Sequence, residues 1–146
     1  MPFKIGAAYS GQSHLLLVDI EIGPDAAHAS VVNGGVVDTG CARTMLSWQV
    51  LAATKVAYLV VGWQDVIGVG GSAQGVPIIL IPHLVVGGVV QLANWPVTVG
   101  ALPGQFSGLL GADVFARCGS LSVFYDATSP RVELDQLPAT GATGTP

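Results

Sequence analysis

Apolar residues in this chain come in short runs. Val, Ile and Leu cluster in stretches of about four to eight residues bounded by Gly, Pro or Asn, which is the length of a strand rather than of a helix. Leu15 to Ile22 ends at Gly23-Pro24, Val76 to Ile81 ends at Pro82, and Leu84-Val85-Val86 ends at Gly87-Gly88. β-Branched side chains lose freedom against a helical turn but pack well on a pleated surface. Runs that are apolar at every position suit strands covered on both faces. The same punctuation bears on membranes. The longest apolar stretch, Val76 to Leu92, is broken by Pro77, Pro82, His83 and Gly87-Gly88, whereas a spanning helix needs about 20 unbroken apolar residues. Met1-Pro2-Phe3-Lys4 leads into mixed sequence and does not read as a secretory leader. The expectation is a soluble, β-rich domain, or a soluble piece of something larger, with no membrane insertion by this segment.

A chain of 146 residues supports one core and is short for two. Its 51% apolar and 10% charged residues exclude a disordered chain, which needs the opposite balance. Net charge is −4, and the five bases (Lys4, Arg43, Lys55, Arg117, Arg131) are scattered, so a nucleic-acid groove is not expected. Two cysteines, Cys41 and Cys118, make no disulfide scaffold. His14, His28 and His83 are dispersed and no CxxC or HExxH occurs, so neither a metal nor a cofactor is expected.

Along the chain, residues 1–13 read as an entry segment or edge strand and His14 to Ile22 as a strand. Asn33-Gly34-Gly35 reads as a hairpin turn between Ala29–Val32 and Val36-Val37. Ser47 caps a predicted helix through Ala53, with Trp48, Leu51 and Ala52 on one face. Separate strands are predicted over 57–61, 64–69, 76–81, 84–86, 89–92 and 95–99, then a loop over 102–107, a second helix over 112–117 and a closing hairpin over 121–125 and 131–134. The domain spans 1–137, and the Thr/Ala/Gly-rich tail 138–146 is expected to be disordered.

Three motifs carry chemistry. Val36-Val37-Asp38-Thr39-Gly40 places an acid between a buried strand and a glycine turn. Burial there penalises the charged form, and glycine lets backbone approach the carboxylate closely. Alone, this reads first as an acid that merely starts a turn. A glycine-tipped hairpin follows over 67–75, and Gly108-Leu109-Leu110-Gly111-Ala112-Asp113 lies further downstream. In this order and spacing the three resemble the retropepsin-like aspartic proteases: apolar-apolar-Asp-Thr-Gly, then a flap, then apolar-apolar-Gly before a helix. The resemblance runs from about Leu15 to Leu134, most of the chain.

That resemblance implies an all-β fold, a small closed barrel of about seven to ten strands with one or two short helices. It implies an aspartic-type endopeptidase whose substrate is an extended peptide or protein. The catalytic residue would be Asp38, with Thr39 bracing paired loops and Gly40 beside substrate backbone. Val69, Gly70, Gly71 and Ser72 would form the flap, and Leu110 and Gly111 the supporting turn. Peptide hydrolysis by this route needs two carboxylates about 3 Å apart, one ionised and one protonated. At an effective dielectric of about 20 two charges at that distance repel by roughly 5 kcal/mol, so the pair holds one proton. The chain contains a single Asp-Thr-Gly. The resemblance therefore implies a homodimer in which Asp38 meets Asp38 of a second copy, with activity favoured in mildly acidic solution.

The chain departs from the viral pattern at two places. Viral members pair an acid at the position of Ala42 with an arginine at that of Ala112, and both are alanines here, which resembles the bacterial and cellular members. Cys41 stands where Ala or Ser is usual, and reads as packing rather than as a nucleophile. Other motifs fail. Gly68 to Ala73 nearly spells a dinucleotide-binding run, but Pro77 stands where its helix would begin. Ser72 lacks a G-x-S-x-G elbow because Gln74 follows. Leu137-Pro138-Ala139-Thr140-Gly141 resembles a sortase signal without the apolar segment that would follow one. The competing readings are a non-catalytic dimerisation or peptide-binding module on the same fold, and a barrel carrying an apolar ligand.

Overall fold

A computed structural model describes residues 2–11, 14–68, 71–103, 105–139 and 142–144, without the side chains of 67, 68 and 71–74. Its elements, in chain order, are β1 (Phe3–Gly6), β2 (Ala8–Tyr9), β3 (Leu16–Gly23), β4 (Ser30–Val37), β5 (Met45–Ser47), α1 (Trp48–Thr54), β6 (Leu59–Gly68), β7 (Gly71–Val86), β8 (Val90–Gly100), β9 (Gly108–Leu110), α2 (Ala112–Phe115), β10 (Leu121–Phe124), β11 (Arg131–Leu134) and β12 (Ala142–Thr143). Six of these strands close on themselves in the order β3, β4, β9, β5, β8, β7 and back to β3. Closure removes the open edges that an apolar sheet of this composition would otherwise expose. β6 extends the sheet beyond β7, and a second sheet of β1, β11 and β10 lies apart from it. The all-β closed barrel with two short helices is thus the architecture expected.

The inward residues of the barrel are Val, Ile and Leu at alternate positions. In β3 the pattern puts Leu16, Val18, Ile20 and Ile22 inside while Asp19 is exposed and Leu17 and Glu21 are half-buried. Ile20, Ile22, Leu46, Ile79, Ile81, Leu84, Val97 and Leu110 are fully buried in one cluster that also takes in Ile5, Val132 and Leu134 of the smaller sheet. Each such side chain contributes about 1.5–3 kcal/mol of transfer free energy, so one continuous core serves both sheets.

Several local readings change. Asn33-Gly34 is not a hairpin turn: β4 runs unbroken through it, and the register against β3 shifts between Val18 and Ile20. Two β4 residues thereby oppose Asp19 alone, a bulge that Gly34 accommodates with φ +88°. The segments 59–61 and 64–68 belong to one strand, as do 76–81 and 84–86, and 90–92 and 95–99. Pro77 and Pro82 do not interrupt β7, and Asn94, across from Pro82 in the register, takes φ +46°. Ser47 caps α1 by accepting from the Val50 amide, but the buried face is Val50 and Leu51, with Trp48 and Ala52 exposed. The second helix is one α turn, Ala112–Phe115, followed by a 3-10 turn over Ala116–Cys118. Within the tail, Ala142 and Thr143 pair in parallel with Leu92 and Ala93 of β8. Among the described residues no helix is long and apolar enough to cross a membrane.

Candidate active site

The chain leaves β4 at Val37, turns through residues 38–44 and re-enters the barrel as β5, while β9 inserts between the two. β9 is parallel to β4, with Val37 opposite Leu110, and antiparallel to β5, with Met45 opposite Leu109. This crossing fixes Asp38. Its amide donates to the Leu110 carbonyl at 3.0 Å, and its own carbonyl accepts from the Cys41 amide at 3.1 Å, closing a turn. The carboxylate is half-buried, and Oδ1 accepts from the Gly40 amide at 3.2 Å, which sets its orientation. Thr39 and Gly40 are exposed at the tip. A Cβ at Gly40 would stand 3.4 Å from Asp38 Oδ1, an ordinary contact, so Asp38 itself does not demand a glycine there.

The supporting turn is tighter. Leu110 is fully buried, and a Cβ on Gly111 would lie 2.5 Å from the Cys41 carbonyl oxygen. Glycine is therefore required by space, not by dihedral angle. Ala112 donates its amide to that same Cys41 carbonyl at 2.7 Å. Ala42 and Ala112 thus lie on segments joined through backbone.

A polar network that the sequence did not reveal holds these segments together. Asp113 Oδ1 accepts from the Thr44 amide at 3.0 Å and from Thr44 Oγ1 at 2.9 Å, and Oδ2 accepts from Trp95 Nε1 at 3.1 Å. Thr44 Oγ1 in turn accepts from the Gly111 amide at 3.0 Å, and the Thr44 carbonyl accepts from the Thr98 amide at 3.0 Å. Thr44 is fully buried and all of its polar groups are satisfied. The only sequence signal was an acid in the first turn of a short helix after Gly-Leu-Leu-Gly, which by itself points to solvent or to a helix N-terminus.

Cys41 is half-buried and its thiol lies 2.9 Å from the Arg43 carbonyl. Burial first, and then the nearby Asp38 charge, push its pKa above the ordinary thiol value. It is a poor nucleophile at neutral pH.

The β6–β7 hairpin forms the facing wall. Ile67 pairs with Ser72 and Gly68 with Gly71. Val69 and Gly70, the expected flap tip, lie outside the described residues, as does the side chain of Ser72. Lower in the hairpin a register shift between Gln64 and Val66 makes a bulge, with Gly75 at φ +65° and its amide bonded to Asp65 Oδ1 at 2.9 Å. Gln64, Asp65 and Val66 border a cavity of about 190 Å3 with Gly40, Cys41 and Arg43. Arg43 Nε donates to Gln64 Oε1 at 3.0 Å, tying the loop after Asp38 to the hairpin. The three histidines do not converge: His83 pairs with Glu21, His28 with Asp25, and His14 stacks edge-on to Tyr9. No metal-binding cluster occurs among the described residues.

No protein-family model matches the chain, and no curated protein does. A solved structure is similar: the crystal structure of a retropepsin-like aspartic protease from Rickettsia conorii. It superposes with a TM-score of 0.59 over 92% of this chain and 90% of that one, at 13% identity. So distant an identity bears on architecture alone, and on architecture the two agree: this chain has a retropepsin-like barrel fold.

Proposed function

We propose that the protein is a homodimeric aspartic endopeptidase in which two Asp38 carboxylates, one from each copy, activate a water molecule. The observation that carries this reading is the placement of Asp38. It is half-buried at the end of a barrel strand, anchored to the Leu110 carbonyl, and next to a cavity walled by the β6–β7 hairpin. The likeness to a retropepsin-like protease supports it.

One carboxylate, ionised, takes a proton from water as the oxygen attacks the scissile carbonyl carbon. The other, protonated, donates to the carbonyl oxygen, and collapse of the tetrahedral intermediate returns a proton to the leaving nitrogen. The chain holds a single Asp-Thr-Gly, so the second carboxylate comes from the other copy and the monomer is inactive. Thr39 and Gly40, exposed at the tip, are available to the second copy and to substrate backbone, and residues 67–75 would cover the bound peptide and exclude water. Met45 and Val66 give the cavity an apolar side that suits apolar side chains beside the cut bond, while Arg43, Gln64 and Asp65 line it with polar groups.

The test is hydrolysis of unstructured peptides at mildly acidic pH, with and without pepstatin, alongside sedimentation over a range of concentrations. Inhibitable cleavage by the dimeric species is expected, and Asp38→Asn should abolish it. Undiminished hydrolysis by Asp38→Asn would overturn the proposal.

A further inference from the structure

Two of the chain's five basic residues, Arg43 and Arg117, line one cavity of about 430 Å3 together with Gln64, Trp95 and Asp113. Neither forms an ion pair among the described residues, whereas Arg131 is taken up by Glu133. Arg43 spends its Nε on Gln64 Oε1 at 3.0 Å, and both residues line the cavity. The terminal nitrogens of Arg43 find no acceptor among the described residues. Arg117 lies over the Trp95 ring, its Cζ 5.3 Å from the centroid, a contact that orients the cation without neutralising it. Asp113 is the carboxylate of this cavity, and its oxygens already accept from Thr44 and Trp95. Two cations against one fully engaged acid leave the cavity positive in a chain whose net charge is −4.

The cavity continues the groove beside Asp38. It shares Ala42, Arg43 and Gln64 with the smaller cavity that Gly40 and Cys41 border. An extended peptide lying across Asp38 therefore passes Arg43 on its way out.

We propose that this cavity is a subsite for a carboxylate of the bound peptide, received by Arg43 and Arg117; the inference rests on the protease reading above. Planar guanidinium groups match a carboxylate by paired charge-assisted hydrogen bonds, with a specificity that scattered lysines would not give. The carboxylate belongs either to a Glu or Asp side chain or to the peptide's free C-terminus. In the symmetric dimer the subsite occurs twice, once on each side of the cut bond, so an acidic side chain is preferred at equivalent distances on both sides.

The test measures binding to the Asp38→Asn protein, which separates recognition from cleavage. Fluorescein-labelled peptides of Ser, Ala and Val carry a single Glu, or Gln in its place, walked along the sequence, and each is made with a free or an amidated C-terminus. Glu should bind about tenfold more tightly than Gln at one position on each side, an advantage that shrinks at high salt and disappears in Arg43→Gln and Arg117→Gln. If Glu and Gln instead bind alike and amidation weakens both about tenfold, the C-terminal carboxylate is the ligand and the subsite stands. Equal affinities throughout, or no binding by any peptide, overturn it. Cleavage by the wild type without acidic preference defeats the subsite and spares the protease reading. Acidic preference in binding without any cleavage does the reverse.

Discussion

Asp113 and Thr44 lie 69 residues apart in sequence, yet one carboxylate oxygen of Asp113 accepts both the backbone amide and the hydroxyl of Thr44. The second oxygen reaches Trp95 on β8. One side chain on a four-residue helix thus ties the end of the Asp38 loop to the barrel wall.

Removing that side chain strands several donors at once. Asp113→Ala leaves the buried Thr44 amide and the Trp95 indole without their acceptor, at a cost of about 3 kcal/mol. For a chain of this length that corresponds to a fall of roughly 10 °C in melting temperature. Asp113→Asn keeps one acceptor oxygen for Thr44 and should cost less, though its amide faces the Trp95 donor. Thermal unfolding of the two variants checks the order.

The two glycines of the site should separate stability from cleavage. Gly111→Ala places a methyl 2.5 Å from the Cys41 carbonyl and must move backbone, at about 2 kcal/mol or more. Gly40→Ala meets only an ordinary contact at 3.4 Å, so its urea midpoint should correspond to a change within about 0.5 kcal/mol. Peptide cleavage should nevertheless fall in Gly40→Ala, because the added methyl occupies the side of the loop assigned to substrate.

The charge of Asp38 should be readable at Cys41. Burial is the larger cause of the raised thiol pKa and the Asp38 carboxylate the next. Alkylation by iodoacetamide follows the thiolate, so the wild-type rate should rise at higher pH than that of a free thiol. Asp38→Asn removes the second cause alone, and the midpoint of the rate–pH profile should move down without reaching the free-thiol value. An unchanged midpoint would show that the two side chains do not sense each other.

Alkaline stability should follow from the same physics. Cys41 and Cys118 both have folded pKa values raised above about 9, the latter by burial alone. The unfolded chain therefore loses its thiol protons first as pH rises. The stabilisation is fully present below about 9 and is lost as pH climbs toward the folded values. Urea midpoints should fall across that interval, and less steeply in Cys41→Ser than in the wild type.

Ser47 offers a check on local structure. Its hydroxyl accepts from the Val50 amide at 3.1 Å and is buried, so Ser47→Ala should cost about 1 kcal/mol through the lost cap. Chemical denaturation would measure it.

The strand-rich barrel was legible because its cause is local. Short β-branched runs between Gly and Pro have few other ways to be buried, and the strand over Arg131–Leu134 and the cap at Ser47 fall where sequence puts them. The Asp38 turn was legible for the same reason: an acid between Val37 and Gly40 follows the last residues of an apolar strand. The face of α1 was misread because Trp48 supplies apolar surface wherever it lies, while burial went to Val50 and Leu51, the residues turned toward the core.

By itself, then, the sequence determined that this chain forms short apolar strands and that one of them ends in a half-buried carboxylate. Whether Asn33-Gly34 turns the chain or bulges within a strand was decided by the register of β3 beside it. That the strand continues through Pro82 depends on pairing with β8. The role of Asp113 depends on Thr44 and Trp95, brought near by barrel closure. Propensity and turn chemistry act between neighbours in the chain. A bulge, an uninterrupted strand or a buried hydrogen-bond acceptor is chosen by groups distant in sequence, and these meet only once the barrel has closed.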